Sequence, residues 1–170
     1  AALTKFLKYV LFKHPVAREL KDRNRALDKT KLALDKYPQV VNDTQKAGLL
    51  TNLTFFTIVL PFCIAPTTNS VLTILLNIIL ILMVYDFFYY LMHRFWFHGS
   101  GWMRQIHAIH HQARRPTYID AHYVHPFETF LGLTLFFLTI AGLSSLVGRF
   151  DIISIVCVYI IYVQLNILNH

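Results

Sequence analysis

Four long apolar segments favour a helical fold in a membrane for this chain. They cover residues 49–65, 71–92, 127–147 and 152–168, and the second contains Asp86 as its only charge. The last three have about the length that a helix needs to cross roughly 30 Å of hydrocarbon, and the first is shorter. We predict an all-α integral membrane bundle with about four transmembrane helices. The alternative is a soluble protein that buries the same segments in its core.

The excess of positive charge belongs to the start of the chain. Of the 16 lysines and arginines, 11 precede residue 49, alongside five acidic residues. Apolar residues recur there at helical spacing, as in Leu3, Phe6, Leu7, Val10 and Leu11. We predict a basic amphipathic cytoplasmic flank over residues 1–48, either a solvated helical segment, which is favoured, or a segment that lies on anionic lipid, and a membrane domain over residues 49–170. Nucleic acid is not expected as a partner, since no recognition motif accompanies the charge.

The charge pattern also predicts an orientation. Two crossings separate the flank from the 93–126 segment, and two more separate that segment from the last residue. The 93–126 segment contains four arginines and one acidic residue, whereas the opposite turns have almost no positive charge. The positive-inside rule therefore predicts a multi-pass protein with a histidine-rich cap in the cytoplasm, in a bacterial inner membrane or the endoplasmic reticulum.

Seven of the nine histidines lie between residues 93 and 125, spaced like metal ligands. His107, His110 and His111 share one face if they lie on a helix. His93 and His98 are five residues apart and need a break in the helix, which we assign to Gly99–Gly101. Five imidazoles in nineteen residues exceed what one tetrahedral ion takes,. We predict two metal ions, with surface histidines at a membrane interface as the alternative.

Other polar residues near the apolar segments are candidates for the same site. His122, His125 and His170 are further possible ligands. Asp86 lies on one helical face with His93, so we expect its carboxylate to accept a histidine N–H and orient that ligand. Asp86 could instead pair with Arg94 at a helix end. Glu128 is either another orienting carboxylate or a charge at a helix N-terminus.

The donor set narrows the choice of metal. Cys63 and Cys157 lie inside apolar segments with no histidine beside them, so iron–sulfur clusters and structural zinc are disfavoured,. A nitrogen-rich site at a membrane surface favours non-haem iron that reacts with O₂. Zinc and copper stay open on spacing alone.

The ordered set of motifs resembles the fatty acid hydroxylase superfamily, the membrane di-iron group that includes sterol desaturases. The matching motifs lie within residues 71–170 and comprise Tyr85–Arg94, His98, His107–His111, Arg115–Thr117, His125–Glu128 and Asn169–His170. The resemblance implies iron ligands at His93, His98, His107, His110 and His111, with His170 as an isolated ligand.

The resemblance also implies a reaction. It predicts two iron ions, O₂ as co-substrate, and hydroxylation or desaturation of a lipid, fatty acyl or sterol-like substrate, with hydroxylation favoured. Electrons would come from a cytochrome b5-like protein, a ferredoxin or a reductase. The family has a third histidine box beyond the position of His170, which predicts either a fragment of a longer enzyme or an inactive metal-binding remnant. A membrane metal- or haem-binding electron-transfer protein is the other alternative.

Overall fold

The computed structural model describes residues 14–112 and 116–168, so the predictions about Leu3–Leu11 and His170 lie outside the described residues. The helices are α1 (Pro15–Leu32), α2 (Tyr37–Thr54), α3 (Leu60–Cys63), α4 (Val71–Met92), α5 (Trp102–His107), α6 (Pro126–Val147) and α7 (Ile152–Leu168). Two π-helical turns cover Phe55–Val59 and His93–Phe97, and two 3₁₀ turns cover His110–Gln112 and Tyr118–His122. Two short parallel strands, β1 (Ile64–Ala65) and β2 (Phe150–Asp151), complete the described part of the chain.

The helical membrane architecture is confirmed. Within the described residues, three helical segments are long and apolar enough to cross a membrane, namely Tyr37–Cys63, Val71–Phe97 and Pro126–Val147. A fourth apolar helix, Ile152–Ile167, is shorter. The predicted bounds of α4 and α7 match the structure, and α6 begins one residue earlier than predicted.

The first span differs from the prediction. Its helix begins at Tyr37 rather than near residue 49, because the polar residues before residue 49 continue the helix beyond its apolar part. Pro61 does not end it. The π-helical turn Phe55–Val59 ends two residues before this proline, which has no N–H to donate, and the helix continues to Cys63,.

Aromatic contacts hold the four long helices together. α2 packs against α6, and α4 packs against both α6 and α7. The ring centroids of Phe55 and Phe137 lie 3.8 Å apart, and those of Phe136 and Tyr162 lie 4.1 Å apart,. Large apolar side chains on the outer faces, such as Leu138, are exposed. This distribution suits a bundle surrounded by lipid, where packing rather than amphipathicity sets the rotation of each helix.

One end of the bundle is closed by the two short strands. Asp151 is fully buried and its carboxylate accepts hydrogen bonds from the Ser154 backbone N–H at 2.9 Å, the Ser154 hydroxyl at 2.6 Å and the Asn69 amide at 3.0 Å. The bond to the Ser154 backbone N–H caps the first turn of α7,. They also connect the loop before α4 to the start of α7.

At the other end, α1 contacts the connection between α4 and α6, residues 98–125, which we call the histidine loop. Asp120 in this loop is 1% exposed and forms an ion pair with Lys31 of α1. The Tyr37 hydroxyl and the Thr117 backbone N–H also donate to its carboxylate. α1 and the described part of the histidine loop therefore lie at the same end of the bundle.

The charge of Asp120 depends on these donors. Burial alone would raise the pKa of its carboxyl, but the bonds from Lys31, Tyr37 and Thr117 outweigh burial and hold the pKa below its usual value,. A carboxyl whose pKa is depressed on folding stabilises the fold at pH values above its unfolded pKa of about 3.9. This stabilisation is lost as the pH falls further, through the folded pKa.

We expect Lys31→Met to lower the free energy of unfolding by about 3 kcal/mol, because it leaves a buried carboxylate without its ammonium partner. Thermal unfolding in detergent at pH 7 should show the loss, and the gap to wild type should narrow below pH 4. Lys29→Met, on an exposed position of the same helix, is the matched control. A similar loss in both variants would contradict a specific role for the Lys31–Asp120 pair.

Candidate metal centre

A π-helical turn brings His93 and His98 together. The His98 N–H donates to the His93 carbonyl at 3.0 Å, which is the i→i+5 bond of a π-helix,. In such a turn, residues separated by five positions lie above one another on nearly the same face. The ring centroids of the two histidines are 4.6 Å apart. A distortion between the two histidines was predicted, but its assignment to Gly99–Gly101 is wrong. The turn precedes those glycines and lies within His93–Phe97.

The glycines act just after this turn. A Cβ at Gly99 would lie 2.1 Å from the carbonyl oxygen of Phe95, so only glycine fits there. Gly101 has φ +116°, a conformation that favours glycine,. Together they turn the chain back from the end of α4 into α5, which ends at His107.

His107 is the centre of the cluster. Its ring centroid lies 4.8 Å from that of His93, 4.9 Å from that of His98 and 4.6 Å from that of His111. The helix that was predicted to contain all three of His107, His110 and His111 ends at His107, and the next two residues form a turn before the 3₁₀ turn His110–Gln112. His107 and His111 nevertheless converge, with their Nε2 atoms 2.9 Å apart.

A buried carboxylate orients His107. Glu128, in the first turn of α6, is 7% exposed, and its Oε1 lies 2.7 Å from Nδ1 of His107. A carboxylate accepts the Nδ1–H, which leaves the lone pair of Nε2 directed at the other histidines. Sequence reasoning left Glu128 open between this role and a helix N-terminal charge. The structure supports the first and is compatible with both, since α6 begins at Pro126.

The donors suit a transition metal. One ligand nitrogen from each of His93, His98 and His107 lies within 4.8 Å of the others. Two nitrogens bound to one ion at about 2.1 Å and at a right angle are about 3.0 Å apart, close to the Nε2–Nε2 separation of His107 and His111. That separation also suits a hydrogen bond between the two rings. Burial and the neighbouring imidazoles lower the pKa of His111, which favours the neutral form that binds metal,.

The other predicted ligands lie at different distances from this cluster. His110 stacks on His107 with centroids 5.6 Å apart. His122 lies in the 3₁₀ turn of the histidine loop, and burial lowers its pKa. His125 caps α6, where its Nδ1 accepts the Phe127 N–H at 3.1 Å. His170 lies outside the described residues.

Asp86 is not brought to the cluster. It lies two turns before His93 on an exposed face of α4, and within residues 14–112 and 116–168 its carboxylate has no hydrogen bond to a histidine. Its expected alternative partner, Arg94, donates instead to the Tyr90 hydroxyl. Glu128 occupies the orienting position that the sequence assigned to Asp86.

A cavity of about 400 Å³ extends from the cluster into the bundle. His93, His107, His110, His122 and Glu128 form its wall at one end. Residues of α2, α4, α6 and α7, together with further residues of the histidine loop, form the rest, and they include the tyrosines at 85, 89, 118, 159 and 162. The cluster therefore borders a space of ligand size between apolar helices.

Comparisons with known proteins agree with this site. The family model for fatty acid hydroxylases matches residues 78–170, more than half of the chain. Two proteins of Dictyostelium discoideum, both provisionally assigned as methylsterol monooxygenases, are similar to it. One is 33% identical over 81 residues, which are 48% of this chain and 27% of that protein. The other is 34% identical over 68 residues, 40% of this chain and 22% of that protein.

The chain thus matches only about a quarter of the length of these curated relatives. No solved structure matches the chain.

Replacing Glu128 should weaken metal binding. We expect Glu128→Leu to reduce affinity about 10- to 100-fold, because His107 loses the acceptor that fixes its tautomer. Metal content by mass spectrometry measures the effect, with Asp86→Leu as the matched control that retains metal. Loss in Asp86→Leu alone would restore the sequence-based assignment.

Gly99→Ala should disturb the turn that joins His93 to His98. The added methyl group collides with the Phe95 carbonyl, so the turn must open and the two rings must separate. We expect a lower melting temperature and reduced metal content. Gly142→Ala is the matched control, because a Cβ there meets nothing within 4 Å. Normal metal content in Gly99→Ala would show that the π-helical turn is dispensable.

Proposed function

Because the chain belongs to the fatty acid hydroxylase family, we propose that it forms the histidine-bearing part of a membrane enzyme that uses two iron ions and O₂ to hydroxylate a lipid. The observation behind this proposal is the convergence of His93, His98, His107 and His111 at one end of a cavity between apolar helices. Residues 49–170 would be the catalytic domain and residues 1–48 its basic flank.

The residues fit iron in number and chemistry. His93, His98, His107 and His111 would hold the ions, with His110 and His170 as further ligands and His122 and His125 as weaker candidates. Neutral imidazoles suit ferrous iron and leave positions for O₂. When bound, the iron pair would supply the two-electron chemistry that inserts one oxygen atom of O₂ into a C–H bond.

The balance of the reaction requires an electron donor. The substrate C–H bond becomes C–OH, and the second oxygen atom leaves as water after uptake of two electrons and two protons. A cytochrome b5-like protein, a ferredoxin or a reductase would supply the electrons. The chain's own contribution is to hold the ligands, through the Glu128–His107 bond, and to enclose the substrate away from water.

The cavity favours a lipid. Its walls belong to helices whose outer faces are apolar, so a substrate dissolved in the bilayer could reach it between them. The names of the relatives point to a methylsterol, and the family name points to a fatty acyl chain; hydroxylation is favoured over desaturation. We place the cluster on the cytoplasmic side, where the arginines of the 93–126 segment would also lie.

Purified full-length protein should contain about two iron ions per chain and no haem Soret band. The variants His107→Ala and His111→Ala should lose this iron. The control variant His14→Ala should keep it, because His14 is exposed and immediately precedes α1, far in sequence from the histidine cluster. With an electron donor and ¹⁸O₂, mass spectrometry should find one labelled oxygen in a lipid product. Unchanged iron in both cluster variants would refute the ligand assignment, and a Soret band would favour the electron-transfer alternative.

A further inference from the structure

We propose that the deep end of the cavity is a binding subsite for a hydroxyl or carbonyl group of the substrate. The proposal rests on the proposed function and adds a substrate class to it. The substrate would be a lipid that already has an oxygen function, held at Asn52 and Tyr159, while a distant carbon lies at the histidines.

The two subsite residues form a polar pair inside apolar spans. Tyr159 of α7 donates its hydroxyl hydrogen to Oδ1 of Asn52 on α2, at 3.0 Å, and Nδ2 of Asn52 donates to the Gly48 carbonyl at 2.8 Å. Polar side chains at membrane depth are costly and commonly functional. A single interhelical hydrogen bond contributes little stability in a membrane, so helix association alone is a weak reason for this pair.

The pair has hydrogen-bonding capacity to spare. An amide group has two N–H donors and two acceptor lone pairs, and a phenol oxygen has lone pairs besides its hydrogen. In the described part of the chain, the two bonds above account for one amide N–H, one Oδ1 lone pair and the hydroxyl hydrogen of Tyr159. The other N–H and the tyrosine oxygen remain available to a ligand. Both residues line the cavity, so a ligand there can reach them.

The fold sets the distance between the subsite and the histidines. Thr44 of α2 donates to the Val124 carbonyl in the histidine loop, and Asn52 lies eight residues further along the same helix. At 1.5 Å per residue this is about 12 Å into the bundle. One turn beyond Asn52, the stacked rings of Phe55 and Phe137 are buried and close the bundle. The polar group would therefore bind at the end of the cavity away from the histidine loop.

Two glycines keep the passage open between the ends. Gly48 and Gly132 line the cavity from opposite helices. A Cβ at Gly48 would lie 3.7 Å from Thr129, and one at Gly132 would lie 3.9 Å from Tyr89. These are ordinary contacts, so alanine fits at either position, whereas a longer side chain would enter the passage.

Binding of matched probes to the full-length protein in detergent tests the subsite. The pairs are 1-dodecanol with dodecane and cholesterol with its 3-deoxy analogue, which differ only in one hydroxyl. We expect at least one alcohol to bind about tenfold more tightly than its hydrocarbon, the effect of one net hydrogen bond. Tyr159→Phe and Asn52→Leu should reduce that ratio to about one and leave hydrocarbon binding unchanged.

Controls separate the subsite from a structural role. Thr54→Val, an exposed position of the same helix, should keep the tenfold ratio. Gly132→Leu should weaken binding of both members of a pair, and Gly132→Ala should not. The proposal would be overturned if alcohol and hydrocarbon bound equally well to the wild type, or if the tenfold ratio survived in both subsite variants. It would also be overturned if Tyr159→Phe and Asn52→Leu weakened the binding of both members of a pair equally.

The proposed function is tested by iron content and product formation, which are independent of the binding ratio. If the protein held no iron, or formed no product with O₂, the binding ratio would still be measurable and would still decide the subsite. Where product forms from the bound alcohol, its new oxygen should lie on a carbon several bonds from the original hydroxyl, because about 12 Å of α2 separates Asn52 from Thr44, which contacts the histidine loop,. Oxidation at the carbon next to that hydroxyl would refute the subsite and leave the proposed function intact.

Discussion

The buried bond between Glu128 and His107 joins the histidine loop to the helical bundle. α5 is a short helix that packs on the π-helical turn His93–Phe97 and on the start of α6, and His107 is its last residue. A carboxylate at a helix N-terminus, shielded from water, holds an imidazole N–H strongly and fixes which nitrogen faces the cluster. His93, His98 and His111 surround the His107 ring, so a metal ion can be shared among them only while that ring keeps its orientation. The candidate centre therefore depends on the Glu128–His107 contact.

Sequence predicted the parts of the fold that depend on length and composition. The bounds of α4, α6 and α7 follow from apolar runs that match the bilayer, and the spacing of the histidines predicted that His93, His98, His107 and His111 would lie close together. The residue that orients His107 could not be chosen in this way. Asp86 and Glu128 both lie near the ends of apolar segments, and only the rotation of α4 and α6 in the bundle exposes the first and buries the second.

Spacing was also insufficient where the backbone departs from a regular helix. Five residues on an α-helix separate His93 from His98 by more than a third of a turn, which suggested a break at the glycines. The π-helical turn solves the same problem without ending the helix,. Likewise, the contact of α1 with the loop joins Lys31 and Tyr37 to Asp120, residues more than eighty positions apart that no local pattern connects.

The rotation of the helices decides what a substrate meets. α4 and α6 are apolar on every side, so no amphipathic face determines which of their residues turn inward,. The stacking of Phe55 on Phe137 and of Phe136 on Tyr162 sets the rotation of these helices instead. Phe55 is three residues from Asn52 and Tyr162 is three residues from Tyr159, so each stack sets the direction of one member of the polar pair. The aromatic contacts that hold the helices together are thus also the contacts that orient Asn52 and Tyr159.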